Sequence, residues 1–233
     1  MAGLPRRDGP AAGRGRGGSA HAGRPLPQTL GDRLRGIGDL GAYLGIHGQP
    51  IRYAHTNRPW PLSDYQSVYA TEPGSAEMPS AGRPFTTRLL TSLLARGVVF
   101  APLVLHGGVA SFDEGEVPDT ERYRVPETTA RLVNQTREAG SRVIAVGTAA
   151  VRAIETVTDS RGVVHPGSGV TDLVVTPERG VHGVDGIVTG WHESGAPHLQ
   201  MVAAVAGRDL VERPTPRRTS TATCGTSSAT RCW

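Results

Sequence analysis

The sequence predicts an α/β fold, a mainly parallel sheet or barrel with helices packed around it. Three observations carry that expectation. From about Gly41 to Gly207, short apolar runs of strand character alternate with segments whose apolar residues recur at helical spacing, the pattern of repeated βαβ units. Glycines stand where such helices should end, at Gly97 and Gly140. Several strand-like runs finish in small or polar residues, as strands do when their C-terminal ends face a ligand.

Taken in order, Phe85, Leu89, Leu90, Leu93 and Leu94 fall at helical spacing, with Thr86 and Thr87 near the start and Gly97 at the C′ position. A strand over Val98–Leu105 follows. Pro126 and Glu127 suit the first turn of the next helix, which carries Leu132 and Val133 inward and stops at Gly140. Arg142–Val146 reads as a buried strand and Thr148–Val157 as a helix. After a Gly/Pro/His turn near His165–Gly169, Leu173–Thr176 and Val184–Thr189 read as strands and Pro197–Ala206 as a last helix.

The ends differ in character. Residues 1 to about 30 are a Gly/Pro/Arg/Ala segment with no period of two or 3.6, so they read as disordered or non-native, with an RGG-like RNA-binding tail as the functional alternative. The expected division is therefore a non-native segment over 1–40, an α/β domain over 41–213 and a non-native tail over 214–233. All 25 basic residues are Arg, a mark of a GC-rich genome more than of a binding function. Residues 41–207 hold 13 Arg against 16 acids, a net −3, so the formal charge of +4 sits in the ends and gives no argument for nucleic-acid binding by the folded part. Both cysteines, Cys224 and Cys232, lie in the tail, which leaves no disulfide framework or Cys-based metal site in the core. No apolar run approaches the ~20 residues that span a bilayer, and no signal-peptide pattern opens the chain. The expectation is a cytoplasmic protein, a monomer with no membrane partner.

Three strand-end segments are candidates for chemistry: Leu105-His106-Gly107-Gly108, Gly147-Thr148 through Arg152, and Thr189-Gly190-Trp191-His192-Glu193. Gly and Ala let a ligand approach the backbone, and a following helix N-terminus presents free N–H groups. His106 and His192 titrate near neutrality and can serve as general acid or base, though a histidine at a strand end is as readily a hydrogen-bonded structural residue. Asp172 and Asp185 are candidates for holding a ribose diol or a cation, or are turn and cap residues. Arg152, early in a helix, opposes the dipole there, which points to a ligand or a buried carboxylate as its partner. Tyr65–Thr86 fits no regular element. Its interleaved Gly, Pro, Ser, Glu and Arg, with Tyr65, Gln66, Glu77, Ser80, Gly82 and Arg83 among them, read as a binding loop.

The order of YQSVYA, PGSAEMPSAGRPFT, LHGG, RVIAVGTAAVRAIE, TDLVV, VDGIVTGWH and HLQMVAAVAG resembles the S-adenosylmethionine:tRNA ribosyltransferase-isomerase family of queuosine biosynthesis, from about Leu40 to Arg213. The resemblance implies a deformed β-barrel ringed by helices with a smaller antiparallel barrel inserted. Here that fold is incomplete, without most of the inserted barrel and the first strands. It also implies transfer and isomerisation of the ribosyl part of S-adenosylmethionine onto 7-aminomethyl-7-deazaguanine at the tRNA wobble position, giving epoxyqueuosine, with S-adenosylmethionine as substrate and no cofactor or metal. Glu77, His106, His192 and Trp191 are the residue types that can supply a base and adenine stacking. Tyr65, Gln66, Ser80, Gly82, Arg83, Gly107, Gly147, Thr148, Arg152, Asp172, Asp185, Thr189 and Trp191 are the binding candidates.

The sequence departs from the family at three places. Thr-Asn-Phe-His-Leu-Pro becomes Thr189 to Ser194 (TGWHES), Met-His-Ser-Glu text is shortened to Asp119–Arg124, and a Leu-His pair is Arg83-Pro84. GC-biased codons written for Pro214–Trp233 and regrouped from the last base of Arg213 read as a helix, a turn and a strand containing Phe-Gly-Asp. That predicts a frameshift near Arg213.

Overall fold

The computed structural model describes residues 38–50, 58–108, 120–190 and 197–212. The expectations for the N-terminal segment up to residue 37, for the tail from 213, and for Trp191 and His192 lie outside the described residues. The chain divides into two compact units, Met1–His47 and Gly48–Trp233. In the first, helix α1 spans Leu40–His47, and the Asp39 side chain accepts from the Ala42 N–H at 3.1 Å as its cap.

The second unit holds the elements that position the site. Helix α2 (Thr87–Leu94) starts and stops where its sequence says. The Thr86 hydroxyl accepts from Leu89 N–H at 3.2 Å, and Gly97, at φ +85°, closes a Schellman turn in which Val98 N–H reaches Leu93 O at 3.0 Å. No residue of α2 is buried. The strand expected over Val98–Leu105 shrinks to β1, Val104–Leu105, paired antiparallel with β2, Glu121–Val125. Two residues further along, the register would set Pro102 against Pro126, and neither has an N–H to donate, so the ladder stops. Val98 and Val99 stay 43% and 64% exposed.

Helix α3 (Glu127–Glu138) follows Pro126 and buries Thr129, Ala130 and Val133, ending in a second Schellman turn at Gly140, φ +68°, with Ser141 N–H on Thr136 O at 3.0 Å. Strand β3 is Ile144–Val146, helix α4 is Thr148–Thr156, and β4 is Gly167–Thr171. Strand β5 (Gly186–Val188) runs parallel to β3, Ala145 opposite Ile187. Helix α5 spans Pro197–Ala206 and α6 Arg208–Glu212.

The architecture is mixed helix and sheet, but the expectation of a mainly parallel sheet is corrected. The larger sheet has order β1-β2-β4 and is antiparallel throughout, while among the described residues only β3 and β5 pair in parallel. Two stretches account for the difference. Asp119–Arg124 reads in the sequence as shortened motif text, yet Glu121–Val125 alternates outward Arg122 and Arg124 with inward Tyr123 and Val125 and is the central strand. His165–Gly169 reads as a turn in the sequence, with the next strand at Leu173–Thr176, yet Gly167–Thr171 is β4. The Tyr123 side chain lies over both glycines: a Cβ at Gly167 would stand 3.7 Å from its hydroxyl and 3.1 Å from Val157 Cγ1, and one at Gly169 3.7 Å from its ring, so small residues here are strand residues beneath an aromatic. Leu173–Thr176 forms no ladder, although Val175 is buried in the core.

That core joins Val125, Ala130, Val133, Ala145, Val164, Val175, Val184 and Met201 around α4, in which every residue from Val151 to Glu155 is buried. A helix buried on all sides normally carries no charge. This one carries two, Arg152 and Glu155.

Candidate functional site

The parallel strands β3 and β5 end side by side. Gly147 N–H donates to Val188 O at 2.8 Å, carrying the pairing one residue past β3 and setting Gly147-Thr148 beside Thr189. Gly147 has φ +97°, a conformation that favours glycine, and caps α4, whose first amides open at this edge. The single helical turn Ser80–Gly82 packs against it, with the Ala81 methyl 3.7 Å from where a Gly147 Cβ would be. Gly82 is buried under Tyr69 and Ser67, while Ser80 and Arg83 are half-buried, joined by Arg83 N–H on Ser80 O at 3.1 Å. Burial of the Tyr69 phenol raises its pKa. Tyr65 closes an earlier helical turn half-buried, and Gln66 follows it exposed.

The third strand-end segment enters from β1. His106 N–H donates to Arg122 O at 2.9 Å, and the imidazole lies on the Gly74 backbone so closely that a Cβ there would be 2.6 Å from Nδ1. Gly107 O accepts from Ala76 N–H at 2.9 Å, beside the Glu77 carbonyl, which places half-buried Glu77 against the same segment. Gly108 N–H donates to Glu121 Oε1 at 3.2 Å. The other oxygen of Glu121 accepts from Arg152 Nη1 at 2.5 Å, and Arg152 Nη2 donates to Thr171 O at 3.3 Å. Thr171 and Thr156 hydroxyls share a bond of 2.7 Å just beyond. Arg152 therefore has the buried carboxylate that its place on the helix called for. It lies about 7.5 Å along α4 from Gly147, at 1.5 Å per residue, so one helix links two strand-end segments.

His198, in the first turn of α5, belongs to this neighbourhood. Burial lowers its pKa, and the Arg152 charge lowers it further, so the imidazole is neutral at pH 7. Nothing in the sequence marks this, because His198 falls at an ordinary helical position.

Asp172 is exposed after β4. Asp185 stands at the opposite end of the parallel ladder, where its N–H meets Val143 O and its carboxylate accepts from Val143 N–H, each at 2.8 Å. It thus clips β3 to β5 and is not brought to the strand-end edge. A cavity of about 490 Å³ lined by Arg137, Arg142, Arg161 and Asp185 also lies at that far end. The strand C-termini, where the glycine backbone at Gly147 meets the N-terminus of α4, are the better site.

The family described as "Queuosine biosynthesis protein" matches residues 26–214. The chain belongs to that family. Among queuosine biosynthesis relatives, the S-adenosylmethionine:tRNA ribosyltransferase-isomerase of Symbiobacterium thermophilum is 43% identical over 156 residues, 64% of this chain and 46% of that protein. The one from Natranaerobius thermophilus is 40% identical over 154 residues, 63% and 45% of the two chains. A solved structure, the S-adenosylmethionine tRNA ribosyltransferase of Thermotoga maritima, is 39% identical over 56% of this chain and 43% of that one, with a TM-score of 0.46. The chain spans about half the length of the curated queuosine biosynthesis relatives it matches.

Proposed function

We propose that this chain takes part in transfer and isomerisation of the ribosyl moiety of S-adenosylmethionine onto 7-aminomethyl-7-deazaguanine at the tRNA wobble position, giving epoxyqueuosine-tRNA. Family membership and relatives of that name at about 40% identity support the reading. The observation that carries it is the meeting of Gly147-Thr148 with Thr189 across the Gly147–Val188 bond, where a glycine backbone and the N-terminus of a helix come together at a strand end. In this reading Glu77, His106 and His192 are the candidate acid and base groups, and no cofactor takes part. Tyr65, Gln66, Ser80, Gly82, Arg83, Gly107, Thr148 and Trp191 contact substrate. Arg152 acts through Glu121, and Asp172 and Asp185 lie further out. Titration calorimetry with S-adenosylmethionine tests binding, and adenine release with precursor tRNA tests catalysis. Absence of binding heat overturns the reading.

A second reading, a non-catalytic relative, is favoured by one observation: Leu89, Leu94, Val98 and Val99 of the α2 region stand exposed. Absence of both binding heat and adenine release supports it.

A further inference from the structure

Beyond His106 the segment Gly107-Gly108 has no side chains to anchor it, and a glycine pair loses more conformational freedom on ordering than any other. Two bonds hold it: Gly107 O to Ala76 N–H at 2.9 Å and Gly108 N–H to Glu121 Oε1 at 3.2 Å. The second is only as firm as Glu121 itself. That carboxylate is fixed in turn by Arg152 at 2.5 Å, and Arg152 is fixed on the carbonyl of Thr171 at 3.3 Å. The side chains of Arg152 and Glu121 are 7% and 14% exposed, so little water competes for either. Each carboxylate oxygen has one task, one toward the strand-end backbone and one toward the helix.

We propose that Glu121 is a positioning residue of the candidate site, holding the Gly107-Gly108 backbone in place for the ligand and neutralising Arg152 beneath it. The second task matters because the substrate class is a sulfonium. An uncompensated guanidinium buried beside the site would repel it, whereas the carboxylate cancels that charge. This inference rests on the ribosyl-transfer reading for its ligand and on the structure alone for the backbone it holds.

The test compares Glu121→Gln with Glu155→Gln in the full chain. A carboxamide offers one acceptor oxygen where the carboxylate offers two. Amide exchange at Gly108 should therefore quicken about tenfold and the Kd for S-adenosylmethionine rise about tenfold, the size of one charged hydrogen bond. S-adenosylhomocysteine, whose thioether carries no charge, should lose less. Glu155→Gln should lower the melting temperature while leaving both the Gly108 rate, relative to global opening, and the Kd unchanged. The proposal is overturned if Glu121→Gln leaves Gly108 exchange within about twofold of wild type, or if Glu155→Gln weakens binding equally. Should Glu121→Gln not fold, the wild-type chain decides: a protected Gly108 amide supports the role and random-coil exchange there ends it. A wild-type chain that binds no S-adenosylmethionine sinks the ribosyl-transfer reading alone, because the exchange measurement uses no ligand.

Discussion

Arg152 and Glu155 stand three residues apart on α4 and each buries half of an ion pair, with the signs reversed. From the helix, Arg152 reaches Glu121 on β2, and Glu155 is reached by Arg179 Nη1 at 2.8 Å. Both carboxylates also accept backbone amides. Glu155 Oε1 takes those of His182 at 2.9 Å and Gly183 at 2.7 Å, and Arg179 Nη2 adds a bond to the Glu155 carbonyl at 3.2 Å. Every bond around Glu155 thus fixes the connection from Arg179 to Gly183, which has no ladder of its own before β5 begins. A Cβ on Gly183 would fall 2.5 Å from Ile154 Cγ2, so this connection is pressed flat on the helix. Glu121 instead spends its second oxygen on a glycine at a strand end. Buried charge alone therefore does not identify a site. What separates the two pairs is the backbone that each carboxylate holds.

The largest effect should come from the scaffold pair. Glu155→Ala removes the carboxylate from two inward amides and from Arg179, which keeps only the carbonyls of Gly180 and residue 155, and breaking a buried pair from one side costs roughly 3–5 kcal/mol. For a fold of this size that is a fall in Tm of roughly 6–20 °C, read by circular dichroism. The affinity of the remaining folded molecules for S-adenosylmethionine should not change. A loss under about 1 kcal/mol in urea melts would mean that the cluster is no clamp.

The contrast also explains which parts of the structure were legible in the sequence. Helix α2 and its capping signals were, because Thr86, Leu93 and Gly97 act within one short stretch, and the same holds for the Pro126 and Gly140 ends of α3. Helix α5 is likewise legible with its observed bounds, Pro197–Ala206, while the short α6 that follows it is not. What failed was long-range. Glu121 looks like any surface acid until Arg152, 31 residues away, is folded against it. Gly167 and Gly169 look like turn residues until Tyr123 covers them. The strand over Val98–Leu105 was drawn too long because Pro102 and Pro126 meet only after pairing. At the site, the edge from Gly147 to Thr189 could be anticipated from strand ends. The roles of Glu121 and His198 could not, since pairing and burial create both.

A smaller effect should sharpen the site half of the comparison. The pKa of His198 lies below the usual 6.5, through burial first and the Arg152 charge second. Protonation therefore opposes folding. Stability tied to this group is complete above the unfolded value and declines as pH falls through 6.5 toward the lower folded one. Urea midpoints for wild type should drop between pH 7 and pH 5 by more than those of His198→Gln. Parallel slopes would show that burial and the Arg152 charge do not hold the His198 pKa down.

The smallest effect is expected of the exposed counterpart to both buried pairs. Asp159 accepts from His165 Nε2 at 3.0 Å and from the N–H groups of Arg161 and Val163 at 2.9 Å each. Those bonds, with His165 foremost, hold its carboxyl near 2 in place of 3.8. The folded pKa is depressed, so its contribution is present above the ordinary carboxylate value and is lost as pH falls from about 4 toward 2. Water screens this turn, and an exposed pair contributes far less than a buried one. Asp159→Asn should thus leave the melting temperature at pH 7 nearly unchanged and flatten only the acid limb of stability against pH. If it matched Glu155→Ala at pH 7, then the chemistry of the pair, and not its burial, would set the scale. The distinction drawn between the scaffold and site carboxylates would then lose its physical basis.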